Sequence, residues 1–258
     1  MDKYEKFKND ILGLINIDLS SYKEKQMKRR ISSLVSRNGF KDFDDYYLML
    51  KCDKELLNEF MNYLTINVSE FYRNHKQWDV LDNEIIPNLL KTKKKLKVWS
   101  SACSTGEEPY SLVMLLSKFT SLSNVSVLAT DIDESAIEKA KLGLYSEKSL
   151  KELPTEFKDK YFDRIENTYR IKDDVKNRVT FKKMNLLDDK YPTDCDLILC
   201  RNVMIYFTEE AKSIMYKKFY SALSNVGVLF VGSTEQIIFP NKYNLQAIET
   251  FFYNKKSK

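Results

Sequence analysis

The first 65 residues carry apolar side chains three and four positions apart, the spacing of one buried face of an α-helix. The stripe is clear over Phe7–Ile15 and Met27–Val35 and recurs over Tyr46–Leu64. Asn38-Gly39 follows the second stripe, and a glycine there suits a left-handed C-cap. The pattern predicts a small all-helical domain over residues 1–65.

From about residue 95, short apolar runs alternate with helical segments. The predicted strands are 96–102, 125–131, 196–202, 226–232 and an edge strand at 247–254, and the predicted helices are 109–119, 134–144 with Asp133 as N-cap, and 208–223. This alternation indicates an α/β domain with a mostly parallel sheet over 95–258, joined to the helices by residues 66–94. Residues 161–173 and 178–185 break the alternation and predict a short antiparallel β insertion over about 161–185.

Composition excludes several classes of protein. With 43 % hydrophobic and 31 % charged residues, the 258-residue chain is not disordered. No apolar run reaches membrane-spanning length, so we expect no direct membrane insertion and a cytoplasmic protein. His75 is the only histidine and the four cysteines lack CxxC spacing, so we expect no metal site and no histidine-based triad. The net charge of +5 permits an acidic partner without requiring nucleic acid.

The first predicted strand runs into the loop SSACSTGEEPYS, residues 100–111. Ligands of open α/β sheets bind at the carboxyl ends of the strands, and Gly106 permits a tight turn there. GxGxxG is absent, and Glu107 and Glu108 at the helix start oppose a phosphate and favour a cation. S-adenosylmethionine has a sulfonium, an ammonium and no phosphate. The alternative is that the two glutamates only complement the helix dipole.

Two further strand ends carry candidate cofactor ligands. Asp131 lies 25 positions after Gly106, near the distance at which a dinucleotide fold places its ribose-binding acid. Asn185 with Leu186 offers an amide and an apolar side chain for the edge and face of an adenine. The alternatives are that the aspartates 131 and 133 only shape a turn and that Asn185 only ends a strand.

Two further segments carry arginines, and the second also carries a tyrosine, that could lie near the carboxyl ends of the strands. NVSEFYRNHKQW (67–78) brings Arg73 beside the predicted cofactor, and CRNVMIYF (200–207) places Arg201, Asn202 and Tyr206 at the carboxyl end of a buried strand. The alternatives are a capped amphipathic helix for the first segment and a polar loop for the second.

Five segments occur in a specific order: NVSEFYR (67–73), VWSSACSTGEEPYSL (98–112), ATDID (129–133), MNLL (184–187) and CRNVMIYF (200–207). Together they resemble the chemotaxis receptor methyltransferases, the CheR family, over nearly the whole chain. The resemblance implies a Rossmann-like S-adenosylmethionine-dependent methyltransferase domain behind a helical N-terminal domain. It also implies methylation of glutamate side chains on the cytoplasmic helices of chemoreceptors, with S-adenosylhomocysteine as the second product.

The resemblance carries over to individual residues. Arg73 and Tyr206 match the pair that flanks the methyl-transfer site, which makes them the candidate catalytic residues. The residues that match cofactor contacts of the family are Asn67, Ser69, Arg73, Glu108, Asp131, Asn185, Leu186, Arg201 and Asn202.

The sequence also bears on partners. Lys28, Arg29 and Arg30 lie on a basic helix over 22–37 that could dock the acidic methylation region of a receptor; the alternative is a solvated basic face. Some family members grip a receptor C-terminal pentapeptide with a glycine-containing turn of the β insertion. The turn RIENT (164–168) has no glycine, so we expect no such tether.

One departure from the family pattern and two rival functions stay open. GSTE (232–235) stands where the family often has GHSE, which argues against an essential imidazole there. An RNA or DNA methyltransferase is the first rival, although RNVMIY replaces the [DN]PP[YF] motif of amino-methylating nucleic-acid enzymes. A non-catalytic S-adenosylmethionine-binding receptor regulator is the second, and the presence of Arg73 and Tyr206 counts against it.

Overall fold

The computed structural model describes residues 2–256, which form two compact units. One unit contains the residues up to Ile66 together with Tyr206–Ile214. The other contains Asn67–Ile205 and the residues from Met215 onward. Within residues 2–256, no helix has the length and apolar character needed to cross a membrane.

The first unit is built from helices. They are α1 (Lys3–Ile15), α2 (Glu24–Arg37), α3 (Phe43–Cys52) and α4 (Lys54–Thr65). Asp42 and Asp53 cap α3 and α4 by accepting main-chain N–H groups of the first turn. Gly39 follows α2 with φ +81°, as the Asn38-Gly39 pair predicts. The predicted all-helical domain is therefore confirmed.

The second unit contains the sheets. Its helices are α5 (His75–Val80), α6 (Ile86–Leu90), α7 (Glu107–Leu116), α8 (Glu134–Leu142), α9 (Thr155–Tyr161), α10 (Asp173–Lys176) and α11 (Glu209–Ala222), of which α11 begins in the segment assigned to the first unit. Its strands are β1 (Val98–Ser100), β2 (Val127–Asp131), β3 (Leu144–Ser146), β4 (Phe162–Ile165), β5 (Thr168–Ile171), β6 (Val179–Lys183), β7 (Cys195–Cys200), β8 (Leu223–Val231), β9 (Leu245–Glu249) and β10 (Phe252–Lys255).

The main sheet has seven strands in the order β6-β2-β1-β7-β8-β10-β9. The pairs from β6 to β8 are parallel, and β10 pairs antiparallel with β8 and β9. The strand order reverses at β1, whose neighbours are β2 and β7. Such a reversal opens a crevice at the carboxyl ends of these strands. The predicted Rossmann-like α/β fold is confirmed, and the sheet places the loops after β1, β2 and β7 side by side.

The antiparallel insertion is present, but it contains different strands from those predicted. It is a three-stranded sheet in the order β3-β5-β4. The expectation that 178–185 belongs to it is wrong, because β6 pairs parallel with β2 at the edge of the main sheet. Val179 and Phe181 alternate with polar residues and pack on the core of that sheet. Alternation of this kind fits a half-buried strand in either sheet, so it could not identify the partner.

The predicted edge strand at 247–254 is in fact a hairpin. Strands β9 and β10 pair with one another, and Phe251 in the turn between them has φ +72°. No glycine or Asn-Gly pair marks that turn, which is why the sequence shows one apolar run.

Aromatic packing holds the segment before α5 against the small sheet. The ring of Phe71 contacts those of Tyr145 and Phe162 edge-to-face, with centroid separations of 4.8 and 5.3 Å. The main-chain N–H of Phe71 donates to the carbonyl of Ser149. Phe71 is fully buried. Residues 67–73 are thereby anchored within the second unit.

Candidate functional site

Asp131 ends β2 and organises the loop after β1. Its Oδ2 accepts the main-chain N–H of Ser104 at 2.7 Å, and its Oδ1 accepts that of Asp133 at 3.0 Å. Asn67 donates from Nδ2 to Asp133 at 2.6 Å and accepts from the Ser104 hydroxyl at 3.3 Å. The structure therefore brings the predicted residues Asn67 and Asp131 together at the carboxyl end of the sheet.

The division of roles between the two aspartates has physical support. Asp133 accepts the N–H groups of Ser135 and Ala136 and so caps α8, as predicted. Asp131 makes no cap. Burial raises the pKa of Asp131 to about 6, against the opposing effect of main-chain N–H groups that stabilise its charged form. A buried carboxylate at a strand end is suited to accept hydroxyl hydrogen bonds.

Gly106 lets the loop after β1 pack closely against α8 and β3. Gly106 has φ +97°, and a Cβ there would lie 2.8 Å from the Cβ of Ala140 and 2.9 Å from the hydroxyl of Tyr145. That hydroxyl donates to the carbonyl of Thr105 at 2.8 Å. Both the backbone conformation and the close contacts require glycine.

Glu107 and Glu108 are both buried at the start of α7. Glu107 accepts from the hydroxyl of Thr105 at 2.7 Å and from Ser69. Burial raises its pKa. Ser69 thus lies at the helix start, in contact with the first glutamate of the loop.

Glu108 forms a buried ion pair with Arg201. The guanidinium Nη1 of Arg201 donates to Oε2 of Glu108 at 3.2 Å, and Ser100 donates to Oε1 at 2.8 Å. The side chain of Arg201 is 3 % exposed and that of Glu108 is 10 % exposed. Burial raises the pKa of Glu108 and lowers that of Arg201, because desolvation outweighs their mutual attraction. Both carboxylate oxygens of Glu108 are therefore already engaged by protein donors.

The other end of Arg201 holds the segment that carries Arg73. Nη2 of Arg201 donates to the Arg73 carbonyl at 2.7 Å, to Oδ1 of Asn74 at 3.3 Å and to Oε1 of Gln77 at 3.2 Å. Its Nε is buried and has no partner among the described residues. Arg201 therefore links the end of β7 to α7 and to residues 73–77.

Arg73 has a fixed backbone and a partly exposed side chain. Its carbonyl accepts from Arg201 and, at 3.1 Å, from the indole N–H of Trp78. Its guanidinium donates from Nη1 to the Val68 carbonyl at 3.0 Å. A guanidinium has five N–H donors, so this side chain retains capacity to bind a carboxylate.

Asn185 and Leu186 follow β6, next to Asp131. The N–H of Met184 donates to the Asp131 carbonyl at 2.8 Å. Asn185 accepts the Leu187 N–H at 3.0 Å, and the Leu186 side chain is buried. This places the two residues at the same edge of the sheet as Asn67 and Asp131.

Asn202 and Tyr206 follow β7 but differ in their surroundings. Asn202 has φ +59° and belongs to the second unit. Tyr206 belongs to the first unit, where its carbonyl accepts the N–H of Lys23 at 2.9 Å. The structure groups Arg73 with Arg201 in the second unit, whereas Tyr206 is described with the first.

Sequence reasoning missed several residues of this site. Ser104 donates to Asp131, Gln77 accepts from Arg201, and Glu235 accepts the N–H of Asn202 at 2.6 Å. Of these, Glu235 had a sequence signal, because it ends the GSTE motif. The contacts of Ser104 and Gln77 depend on tertiary packing and have no signature in the sequence.

Comparison with known proteins identifies the family. Residues 67–252 match the family described as "CheR methyltransferase, SAM binding domain", and residues 2–65 match "CheR methyltransferase, all-alpha domain". The chain belongs to the CheR methyltransferase family. It is therefore an S-adenosylmethionine-dependent methyltransferase with S-adenosylmethionine as its cofactor.

Curated relatives match over most of their length. A chemotaxis protein methyltransferase of Listeria innocua is 42 % identical over 93 % of this chain and 92 % of its own. That of Borreliella burgdorferi is 35 % identical over 93 % and 89 %, and that of Escherichia coli is 33 % identical over 85 % and 79 %. The chain is similar to these proteins across both of its parts.

The hydrogen-bond acceptors of the site fit S-adenosylmethionine. Oxygen acceptors dominate the ends of β1 and β2, where Asp131, Asn67 and Glu107 lie. Such a set suits ribose hydroxyls and a cationic ligand and opposes phosphate. Among the described residues, no cluster of three or more histidine, cysteine or acidic side chains could hold a metal ion.

Proposed function

We propose that this chain methylates glutamate side chains on the cytoplasmic helices of chemoreceptors, forming glutamate methyl esters in the cytoplasm. The curated relatives named chemotaxis protein methyltransferase support the substrate class. The observation that carries the chemistry is Arg73, a partly exposed guanidinium on a backbone fixed by Arg201 and Trp78. A guanidinium holds a carboxylate through two parallel donors.

This chemistry needs little beyond alignment. A glutamate with a reference pKa near 4.3 is ionised at pH 7, so no general base has to remove a proton. His75 is exposed and faces Glu152 at 3.3 Å, which fits a reaction without an imidazole base. S-adenosylmethionine supplies the methyl group from its sulfonium. Arg73 holds and orients the acceptor carboxylate, so that reacting atoms lie about 3–3.5 Å apart. The resemblance to the family supports a role for Tyr206 in orienting the second oxygen of the acceptor or the methyl group.

The remaining predicted contacts complete the proposal. Asp131 accepts ribose hydroxyls, and Asn185 and Leu186 receive the adenine. Asn67, Ser69 and Asn202 contact the cofactor, as the resemblance to the family implies, and their hydrogen bonds to Asp133, Glu107 and Glu235 hold them in place. Glu108 and Arg201 form a buried ion pair next to the proposed cofactor site and act on the cofactor electrostatically.

Labelled S-adenosylmethionine and a purified cytoplasmic fragment of a chemoreceptor test this function. We expect label on the receptor that is released by mild base, since a glutamate methyl ester hydrolyses readily. A fragment with its acceptor glutamates changed to alanine should stay unlabelled. Base-stable label, label on added RNA, or cofactor binding without turnover would contradict the proposal.

The affinity for S-adenosylhomocysteine should depend on pH through Asp131. The folded pKa of Asp131 is raised to about 6, so the carboxylate is charged at pH 8 and becomes protonated as pH falls through 6. Protonation removes an acceptor, and affinity should fall towards tenfold per pH unit below that pKa. Calorimetric titration between pH 8 and 5 measures this. Asp131→Asn should bind weakly at pH 8 and show no slope near pH 6; a persisting slope would assign it to another group.

We propose that the basic helix α2 docks the acidic methylation region of the receptor. The three predicted docking residues, Lys28, Arg29 and Arg30, differ in their surroundings. Lys28 pairs with Asp2 at 2.9 Å, and Arg30 stacks on Tyr63 at 4.7 Å, whereas Arg29 is exposed. Lys25 is exposed on the same helix. These two exposed cations are the best candidates for contact with a partner.

Reversing the charges of Lys25 and Arg29 to glutamate should slow receptor methylation roughly tenfold at low ionic strength. The loss should shrink with added salt, because exposed charges are screened beyond about 8 Å at physiological ionic strength. Lys94→Glu with Lys95→Glu, two exposed residues before β1, is a control of equal charge change. Equal losses in both variants would remove the docking role of α2.

We propose that receptors are found without a C-terminal pentapeptide tether and that no nucleic acid is bound. The two-residue turn between β4 and β5 has Glu166 at φ +51°. Its carbonyl accepts from Arg164 Nε at 3.2 Å, and that of Ile165 accepts from the Thr168 hydroxyl at 2.9 Å. These side chains occupy the turn in which the peptide-binding members of the family use glycine.

Methylation should therefore be equally fast for a receptor with or without a C-terminal pentapeptide. Initial rates on the two forms, at receptor concentrations below KM, measure this. Binding of the free peptide at micromolar affinity would contradict the prediction.

A further inference from the structure

One buried carboxylate accepts hydrogen bonds from main-chain N–H groups of the loop that follows β7. Oε2 of Glu235 accepts the N–H of Asn202 at 2.6 Å and that of Gly232 at 2.9 Å. Its Oε1 accepts the N–H of Ile205 at 3.2 Å. Glu235 is 6 % exposed. Both oxygens are therefore used to hold backbone, and two of the three donors belong to the loop 202–205.

Gly232 leaves the space that this carboxylate fills. A Cβ on Gly232 would come within 3 Å of the Asn202 nitrogen and would overlap Oε2 of Glu235. The N–H of Glu235 in turn donates to the Gly232 carbonyl at 2.9 Å. Gly232 follows β8 directly, so the carboxylate joins the ends of β7 and β8.

The loop held in this way adopts a conformation that needs support. Asn202 has φ +59°, in the left-handed region that few residues other than glycine adopt and that asparagine adopts more readily than most. Burial raises the pKa of Glu235, while main-chain N–H groups, including that of Met204, stabilise its charged form. Burying the charged carboxylate of Glu235 costs free energy, which indicates that this side chain does more than fill space.

We propose that Glu235 is a positioning residue for methyl transfer, fixing the backbone of residues 202–205 and with it the side chain of Asn202 and the chain that enters Tyr206. It touches neither the cofactor nor the acceptor in this role. The inference rests on the proposed function only for the identity of the acceptor, because the cofactor is that of the family. The glutamate of the GSTE motif thereby has a structural role that does not require a histidine in the motif.

Glu235→Gln tests the proposal, since an amide keeps the size but must turn N–H donors towards main-chain N–H groups on one side, either those of Asn202 and Gly232 or that of Ile205. We expect affinity for S-adenosylhomocysteine to fall about tenfold, equal to about 1.4 kcal/mol. The kcat should fall further, with little change in KM for the receptor. Glu235→Asp should restore part of both, because it keeps the charge but shortens the reach.

Asp196→Asn is the matched control. Asp196 is also buried and accepts a main-chain N–H, that of Lys97, at 2.9 Å, but it lies at the opposite end of β7. It also accepts from the hydroxyl of Ser224 at 2.8 Å. We expect a comparable fall in Tm with unchanged affinity and kcat.

Three results would overturn the proposal. The first is wild-type affinity and kcat in Glu235→Gln. The second is an equal loss of affinity in Asp196→Asn at an equal fall in Tm. The third needs no variant: amide hydrogen exchange of a fragment covering 201–206 in the cofactor-free wild type should be slow, and exchange at the unprotected rate would show that the loop is not held. Calorimetry with S-adenosylhomocysteine needs no acceptor, so a wrong glutamate assignment leaves this test intact.

Discussion

Replacing Arg201 by alanine is expected to lower the free energy of unfolding by about 3–5 kcal/mol. The substitution leaves Glu108 buried and charged, with Ser100 as its one remaining side-chain donor among residues 2–256. It also removes the donor that Gln77 and Asn74 share. Urea denaturation followed by circular dichroism measures the loss. Affinity for S-adenosylhomocysteine should fall in parallel, because residues 73–77 lose their link to β7.

Stability and binding can be separated by removing both charges. Breaking one partner of a buried pair is costly, whereas apolar replacement of both is often nearly neutral. Glu108→Leu with Arg201→Met should therefore be more stable than Arg201→Ala and still bind the cofactor poorly. Arg178→Ala is the control, because the Arg178 guanidinium donates to the carbonyls of Asp174 and Ser123 near the surface. A loss below about 1 kcal/mol in Arg201→Ala would show that Glu108 is not charged in the folded protein.

Replacing Arg73 by alanine is expected to lower kcat about 100-fold, because misplacement of a reacting group by about 1 Å has an effect of that size. The receptor KM should change less, since the fork acts mainly when the reactants are aligned. Arg73→Lys should recover little, because an ammonium cannot form two parallel hydrogen bonds with a carboxylate.

Steady-state methylation at saturating S-adenosylmethionine gives both constants for Arg73. Arg164→Ala serves as the control, because Arg164 is an exposed arginine of the small sheet that donates to the Glu166 carbonyl. Near-wild-type kcat in the lysine variant would restrict Arg73 to packing or charge. An equal rise in KM and fall in kcat/KM, with kcat unchanged, would make it a docking residue.

Local patterns were sufficient for much of the fold. Apolar residues three and four positions apart predicted the helical domain, and alternating strands and helices predicted the parallel sheet. Asp133 and Gly39 act at helix ends as their residue types predict. These features depend on neighbours a few residues away, so the sequence carries them directly.

Strand partners were decided by tertiary structure. Val179–Lys183 alternates in a way that fits either sheet, and its pairing with β2 follows from packing on a core that is distant in sequence. Likewise, 247–254 has the composition of a single strand, and the turn at Phe251 exists because β10 pairs with both β8 and β9. Periodicity specifies the buried face of a strand without specifying its neighbour.

The same division holds for the site. Sequence alone placed Asp131 at a strand end and Arg201 after a buried strand, because motif order and the strand-end rule locate such residues. It could not show that Glu108 is closed off by Ser100 and Arg201, or that Lys28 and Arg30 have partners of their own. Nor could it show that Glu235 holds Asn202. Burial and hydrogen-bond partners arise from residues far apart in the chain, so only the folded structure determines which charged groups are left for a ligand.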